Sequence, residues 1–183
     1  HGDSEGTKIG MGWPERVDII KWINLILSWE PNARIVLHGV SMGAATVLMA
    51  SGEDLPGNVK AVIADCGYTS EWDEFQREAD ALHIPWFPVL NATSVLSKIR
   101  DGYDFKQASA LAQVKKSRIP TLFIHGSSDE LVPYSMLDEL YAAAACEKEE
   151  LTVEGAGHAL SSSVAPTLYW RTVEDFIAKY LDR

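Results

Sequence analysis

The chain has 183 residues, 46% of them apolar and 23% charged, the make-up of one globular domain long enough for a sizeable core. Sixteen Lys and Arg stand against 26 Asp and Glu, leaving a net charge of −10, which argues against a nucleic-acid partner. No apolar run approaches the ~18–20 residues of a membrane span.

The pattern alternates strands with helices from the start. Trp13-Pro14-Glu15 opens a helix, with Pro suited to the first turn and Glu to its positive end. Ile19, Trp22, Ile23 and Ile26 recur at helical spacing, so one face is expected to pack on a sheet, and Pro31-Asn32 ends the element after Trp29. A short buried strand, Ile35 to His38, follows, then a tight turn and a helix of small and apolar residues, Met42 to Ser51. Val59 to Asp65 is the next strand, apolar and continuous as buried parallel strands are. Pro120 to Gly126 and Glu150 to Glu154 read as two more strands, with helices over Tyr134–Cys146 and Val164–Leu181. Such alternation means a parallel sheet covered on both faces. The interval from Tyr68 to Ser117 is too long for an ordinary crossover and holds two helical pieces, about Ser70–Leu82 and Val89–Ile99. It reads as a cap inserted into a single domain spanning 1–183. Its aromatic residues, Trp72, Phe75, Trp86 and Phe87, either line an apolar acyl pocket or pack the cap onto the sheet; Leu82, Tyr103 and Phe105 share that ambiguity.

Chemistry concentrates in the turn His38-Gly-Val-Ser-Met-Gly43. Gly-x-Ser-x-Gly alone arises by chance in roughly one chain in twenty of this length. An apolar strand before it and a helix after it make it a nucleophile elbow, which lifts Ser41 above the end of the sheet. The two glycines are expected to let neighbouring backbone pack against the strained turn. The glycine spacing excludes a Gly-x-Gly-x-x-Gly or Gly-Lys-Ser/Thr phosphate loop. The loop Ser127 to Pro133 offers Asp129 as an acid, and Gly155-Ala-Gly-His158 offers a base. Serine, acid and histidine thus follow one another in chain order, each after a strand. Asp65, also at a strand end, is the alternative acid. The backbone N–H of Met42, at the N-terminus of the following helix, is the expected oxyanion donor.

His1-Gly-Asp-Ser-Glu-Gly6, His38 to Gly43, Asp65-Cys-Gly-Tyr-Thr-Ser70, His125 to Pro133 and Gly155 to His158 together resemble the α/β-hydrolase superfamily, in the bacterial branch of serine aminopeptidase-like and cell-surface-type hydrolases. The resemblance spans nearly the whole chain and is specific for the superfamily, not for a substrate. It implies a three-layer α/β-hydrolase sheet, of which this chain holds the parallel C-terminal part, with a helical cap. It implies acyl-enzyme hydrolysis of a small-molecule acyl substrate, without metal or organic cofactor. Carboxylic esters, peptides or thioesters, and a non-catalytic binding version of the fold, remain open. In such hydrolases the first block follows the fourth of eight strands. An upstream segment of the same protein is therefore expected to complete the sheet beside Ile35–His38 and to supply the second oxyanion donor. The compartment, cytoplasm or cell surface through an upstream anchor, stays open, as does the oligomeric state. Cys66 and Cys146 lack metal-type spacing; Cys66 is expected to be a small buried hydrophobe. His38 and His125, each beside glycine at a strand end, are expected to pack below the site.

Overall fold

The computed structural model describes residue 3, residues 5–6 and residues 8–181. His1, Gly2 and Ser4 of the first resembling block lie outside the described residues. In chain order the elements are α1 (Glu15–Trp29), β1 (Ile35–Val40), α2 (Met42–Ser51), β2 (Val59–Asp65), α3 (Glu71–Ala81), α4 (Trp86–Asp101), α5 (Ala110–Val114), β3 (Thr121–Gly126), α6 (Ser135–Ala143), β4 (Lys148–Val153), α7 (Ser161–Val164) and α8 (Pro166–Ala178). The four strands form one sheet in the order β1-β2-β3-β4, parallel throughout. A parallel sheet puts every strand's C-terminal end on the same edge. The loops after β1, β2, β3 and β4 therefore share one rim.

Period-two alternation divides the core. Val62, Ala64 and Phe123 face a cluster with Leu37, Leu48, Met49 and Leu137, under α1, α2, α5 and α6. Ala61, Ile63, Leu122 and Ile124 face a second cluster with Tyr169, Val173 and Phe176 of α8. This is the three-layer α/β-hydrolase architecture, with helices on both faces of a parallel sheet. Ala44 to Ser51 of α2 are all buried, so this helix is apolar on every side.

Several local expectations differ. Trp22 is 60% exposed, because the buried face of α1 runs through Ile19, Ile23 and Ile26, and Trp22 lies about 100° away from Ile23 around the helix. β1 runs two residues past His38, kept in the ladder by pairing of Val40 with Asp65. α5 has five residues, too few to show a period; Ser109 caps it, accepting from the Ala112 N–H at 3.1 Å. The last helix is two, because Pro166 begins α8 and cannot continue α7. α6 stops at Ala143, and Lys148 Nζ donates to the Ala144 carbonyl at 2.9 Å. α4 starts at Trp86 and is kinked at Phe87, which precedes a cis peptide to Pro88. No strand forms between Tyr68 and Ser117 beyond one isolated bridge, Ser70 to Ser109.

Among the described residues β1 pairs only with β2, so its other side is a sheet edge. Val40 and, on α8, Trp170 are 41% and 49% exposed. No helix among the described residues is long and apolar enough to cross a membrane.

Candidate active site

Ser41 sits between β1 and α2 with φ +56° and ψ −121°, a region that non-glycine residues reach at a cost of ~1–3 kcal/mol. Its backbone is pinned across the rim: the Ser41 N–H donates to the Asp65 carbonyl at 2.8 Å. Gly39 makes the turn possible, since a Cβ there would stand 2.2 Å from the Gly43 carbonyl oxygen. Gly43 departs from expectation: its missing Cβ would point into open space. Its contribution is the close backbone approach to Gly39, not room for a neighbour at its own Cα.

The loop after β3 is built around its acid. Asp129 Oδ1 accepts the N–H groups of Leu131 at 3.0 Å and Val132 at 2.9 Å. His125 is 1% exposed, beneath that loop; its Nε2 lies 2.8 Å from the Val132 carbonyl and 3.4 Å from Asp129 Oδ2. As an N–H donor to Val132, His125 braces the acid loop from below, in the packed role expected for it. Gly126 lets the histidine loop cross this one, for a Cβ on it would meet the Ala156 oxygen at 2.2 Å.

The remaining oxygen of Asp129, Oδ2, lies 2.8 Å from His158 Nδ1, and His158 Nε2 lies 2.6 Å from Ser41 Oγ. Asp129 is fully covered at its side chain while His158 is 20% exposed, so the chain of bonds runs from a buried acid to an accessible hydroxyl. With Asp129 accepting at Nδ1–H, Nε2 is left as the acceptor for the serine proton. The Met42 N–H lies ahead of the first intrahelical bond of α2, made by the Ala45 N–H to the Ser41 carbonyl.

Asp65 is directed elsewhere. It is 1% exposed, accepts from Ser161 Oγ at 3.0 Å, and burial holds its carboxyl above the usual range. Tyr169 also bonds it and sits 2.9 Å from His38 Nε2. His38 is exposed beside Tyr169 and Trp170 at the β1 edge, not packed below the site as His125 is. Cys66, Asp129 and His158 bring three ligand-type atoms within 4.8 Å. That set suits a metal poorly: burial pushes the Cys66 thiol up to about 12, keeping it protonated, and the other two already bond each other. Both cysteines are free thiols, and Cys66 is fully buried.

A cavity of about 560 Å³ opens beside Met42, walled by Met11, Phe75, Tyr103 and Phe105, with Glu71 among its lining. Phe75 is thus the one of the four proposed substrate contacts on this wall. Trp72 packs edge-on to Trp86, and Trp86 to Phe87, away from it; Phe87 is 66% exposed. Sequence reasoning missed Glu71 and Glu74, both buried on α3. Ser70 caps this helix by accepting the Asp73 N–H, and acids in the first turn complement its dipole. That capping text, Ser70-Glu-Trp-Asp-Glu74, explains acids at the start of a helix but carries no sign that two of them turn inward.

A model of the prolyl oligopeptidase family matches residues 15–183. The chain is 30% identical to the protein YqkD of Bacillus subtilis over 179 residues, 97% of this chain and 59% of that protein. It is 30% identical to the α/β hydrolase domain-containing protein WAV2 of Arabidopsis thaliana, covering 92% of this chain and 56% of that one. It therefore spans well under two thirds of the length of these curated relatives. Among solved structures it resembles the Pyrococcus furiosus esterase Pf2001, with TM-score 0.75 and 22% identity, over 99% of this chain and 68% of that one. Pyrococcus horikoshii acylaminoacyl peptidase matches with TM-score 0.67 and 19% identity, over 94% of this chain and 29% of that one. At these identities the structural likeness speaks for the fold alone.

Proposed function

The chain belongs to the prolyl oligopeptidase family of hydrolases, and on that footing we propose that it is a serine hydrolase that cleaves carboxylic esters through an acyl-enzyme. The observation that carries this reading is the unbroken hydrogen-bonded series from Asp129 to His158 to Ser41, at 2.8 and 2.6 Å. In the first step Ser41 Oγ attacks the substrate carbonyl while His158 Nε2 takes the hydroxyl proton. Asp129 fixes the imidazole tautomer and stabilises the imidazolium. The Met42 N–H donates to the developing oxyanion. His158 then gives its proton to the leaving group, and a water deprotonated by the same nitrogen releases the acyl group.

The substrate enters through the cavity beside Met42, under α3 and α4, which act as the lid of the 68–117 insertion. The open side of β1 pairs with a further segment of the same protein, which carries the second oxyanion donor. The unpaired edge and the exposed Val40 and Trp170 support that role for it.

A peptidase is the second reading, favoured by the family to which the chain belongs. Hydrolysis of short p-nitrophenyl esters compared with aminoacyl anilides, each with the Ser41→Ala protein as control, separates the two. Ester turnover that depends on Ser41 and exceeds anilide turnover is the expected result. Anilide turnover in excess would move the assignment to a peptidase, and a folded chain that shows neither activity and takes no fluorophosphonate on Ser41 would leave a binding domain.

A further inference from the structure

Glu71 is the buried acid among the residues that line the cavity beside Met42. It is 2% exposed, and it lines the space beside Met42 together with Met11, Phe75, Tyr103 and Phe105. One carboxyl oxygen accepts a long bond, 3.4 Å, from the Tyr103 hydroxyl; the other, Oε2, has no hydrogen-bond partner. The other charged residues on the wall, Arg100 and Asp101, are exposed at the rim, where Lys8 bonds the Arg100 carbonyl and pairs with Asp101 at 2.6 Å. A buried carboxylate without a partner is costly, and native structures hold few. Position explains why this one cannot turn out to water. It occupies the first turn of α3, which the Ser70 cap and the Thr69 and Ser70 bonds to Asp73 fix in place.

We propose that the cavity beside Met42 binds a positively charged group of the substrate, an ammonium or guanidinium, against Glu71. The inference rests on the serine-hydrolase reading for what the cavity serves, and it narrows that reading to substrates carrying a cation a short distance from the scissile carbonyl. Two further observations agree. Three aromatic rings line the wall, Tyr103, Phe75 and Phe105, and a ring that offers its face favours a cation over an anion. Burial pushes the empty Glu71 up to about 8, with Glu15 and Asp101 adding to the rise, so that an arriving cation supplies the missing charge and the carboxyl proton leaves to solvent. Tyr103, which bonds Glu71, and Tyr68, whose hydroxyl is bonded to the Met11 carbonyl, are held protonated by the same burial.

The test compares n-hexylammonium with 1-hexanol, which share an alkyl chain and differ in charge. Calorimetry on the 183-residue chain measures binding. The rate of fluorophosphonate labelling of Ser41 in the presence of each measures occupancy beside the nucleophile. Hexylammonium is expected to bind at least ~10-fold tighter and to slow labelling more. Glu71→Gln, checked for an intact fold by thermal melting, is expected to erase that preference. Equal binding of the two by the unmodified chain overturns the proposal without recourse to any variant, as does a preference that survives in folded Glu71→Gln. A chain that prefers hexylammonium through Glu71 yet takes no label at Ser41 overturns the hydrolase reading alone and leaves the cation site standing.

Discussion

The rim of the sheet and the helical pair α3–α4 treat polar groups in opposite ways. Along the rim, Asp129 uses both oxygens, on Leu131 and Val132 N–H groups and on His158, and Asp65 is held by Ser161. In α3 and α4, Glu71, Glu74, Arg77 and Asn91 each bury a polar atom with no partner, and Phe87, Val95, Leu96 and Ile99 are exposed. The rim is over-determined by strands, tight glycine contacts and backbone bonds, as a preorganised catalytic group requires. The helical pair leaves buried groups without partners, and of these Glu71 lines the cavity beside Met42. On the proposed reading, the chemistry belongs to the bonded rim and the choice of substrate to the helical pair.

The comparison breaks first at the nucleophile. Ser41→Ala and His158→Ala are each expected to lower ester turnover on the order of 10³-fold or more, with the double variant little worse, because the groups act in one step. Additive losses in steady-state rates would show that they do not. Asp129→Asn is expected to cost less than either, yet still on the order of 10²-fold or more, with the fold retained. An unchanged rate would remove the acid from the scheme. Gly39→Ala places a methyl carbon against the Gly43 carbonyl, so a drop in melting temperature, corresponding to at least ~1–3 kcal/mol, is expected together with loss of labelling at Ser41. A stable, fully reactive variant would show that the rim is not as tight as its geometry.

A subtler test lies in the helical pair. Glu71 has its carboxyl raised by burial from an ordinary 4.5 to about 8, so the neutral form is the one the folded state favours. Its contribution to stability is therefore complete below pH 4.5 and is lost as pH rises through about 8. Gln at this position stays neutral. The melting temperature of Glu71→Gln relative to the unmodified chain is expected to climb between about pH 4.5 and about pH 8 and to level off above that, and a flat or falling difference across this window would contradict the burial of a reluctant carboxylate. Phe87→Ser should change stability least, within ~0.5 kcal/mol, because the ring is 66% exposed.

The rim was legible in the sequence because its signals are local and ordered. Gly39-Val-Ser-Met-Gly43, the loop after Gly126 and Gly155-Ala-Gly-His158 each follow a strand, the first two apolar, and parallel strands then dictate that the three meet. The same logic, carried too far, gave Gly43 a steric need that it does not have. What faced which way was harder to read. Trp22 falls in an apolar run but turns to solvent, and Trp72, Trp86 and Phe87 pack on one another while Phe75 alone reaches the cavity beside Met42. Glu71 and Glu74 look like ordinary first-turn acids, and only tertiary packing reveals that they are buried.

Reaction of the chain with a fluorophosphonate, read by intact mass and by mapping of the modified peptide, tests the central claim most directly. One adduct, on Ser41, absent from Ser41→Ala and slowed in His158→Ala, is the expected result. A folded chain that takes no adduct, or takes it on another residue, would contradict the assignment of Ser41 as a nucleophile activated by His158 and Asp129.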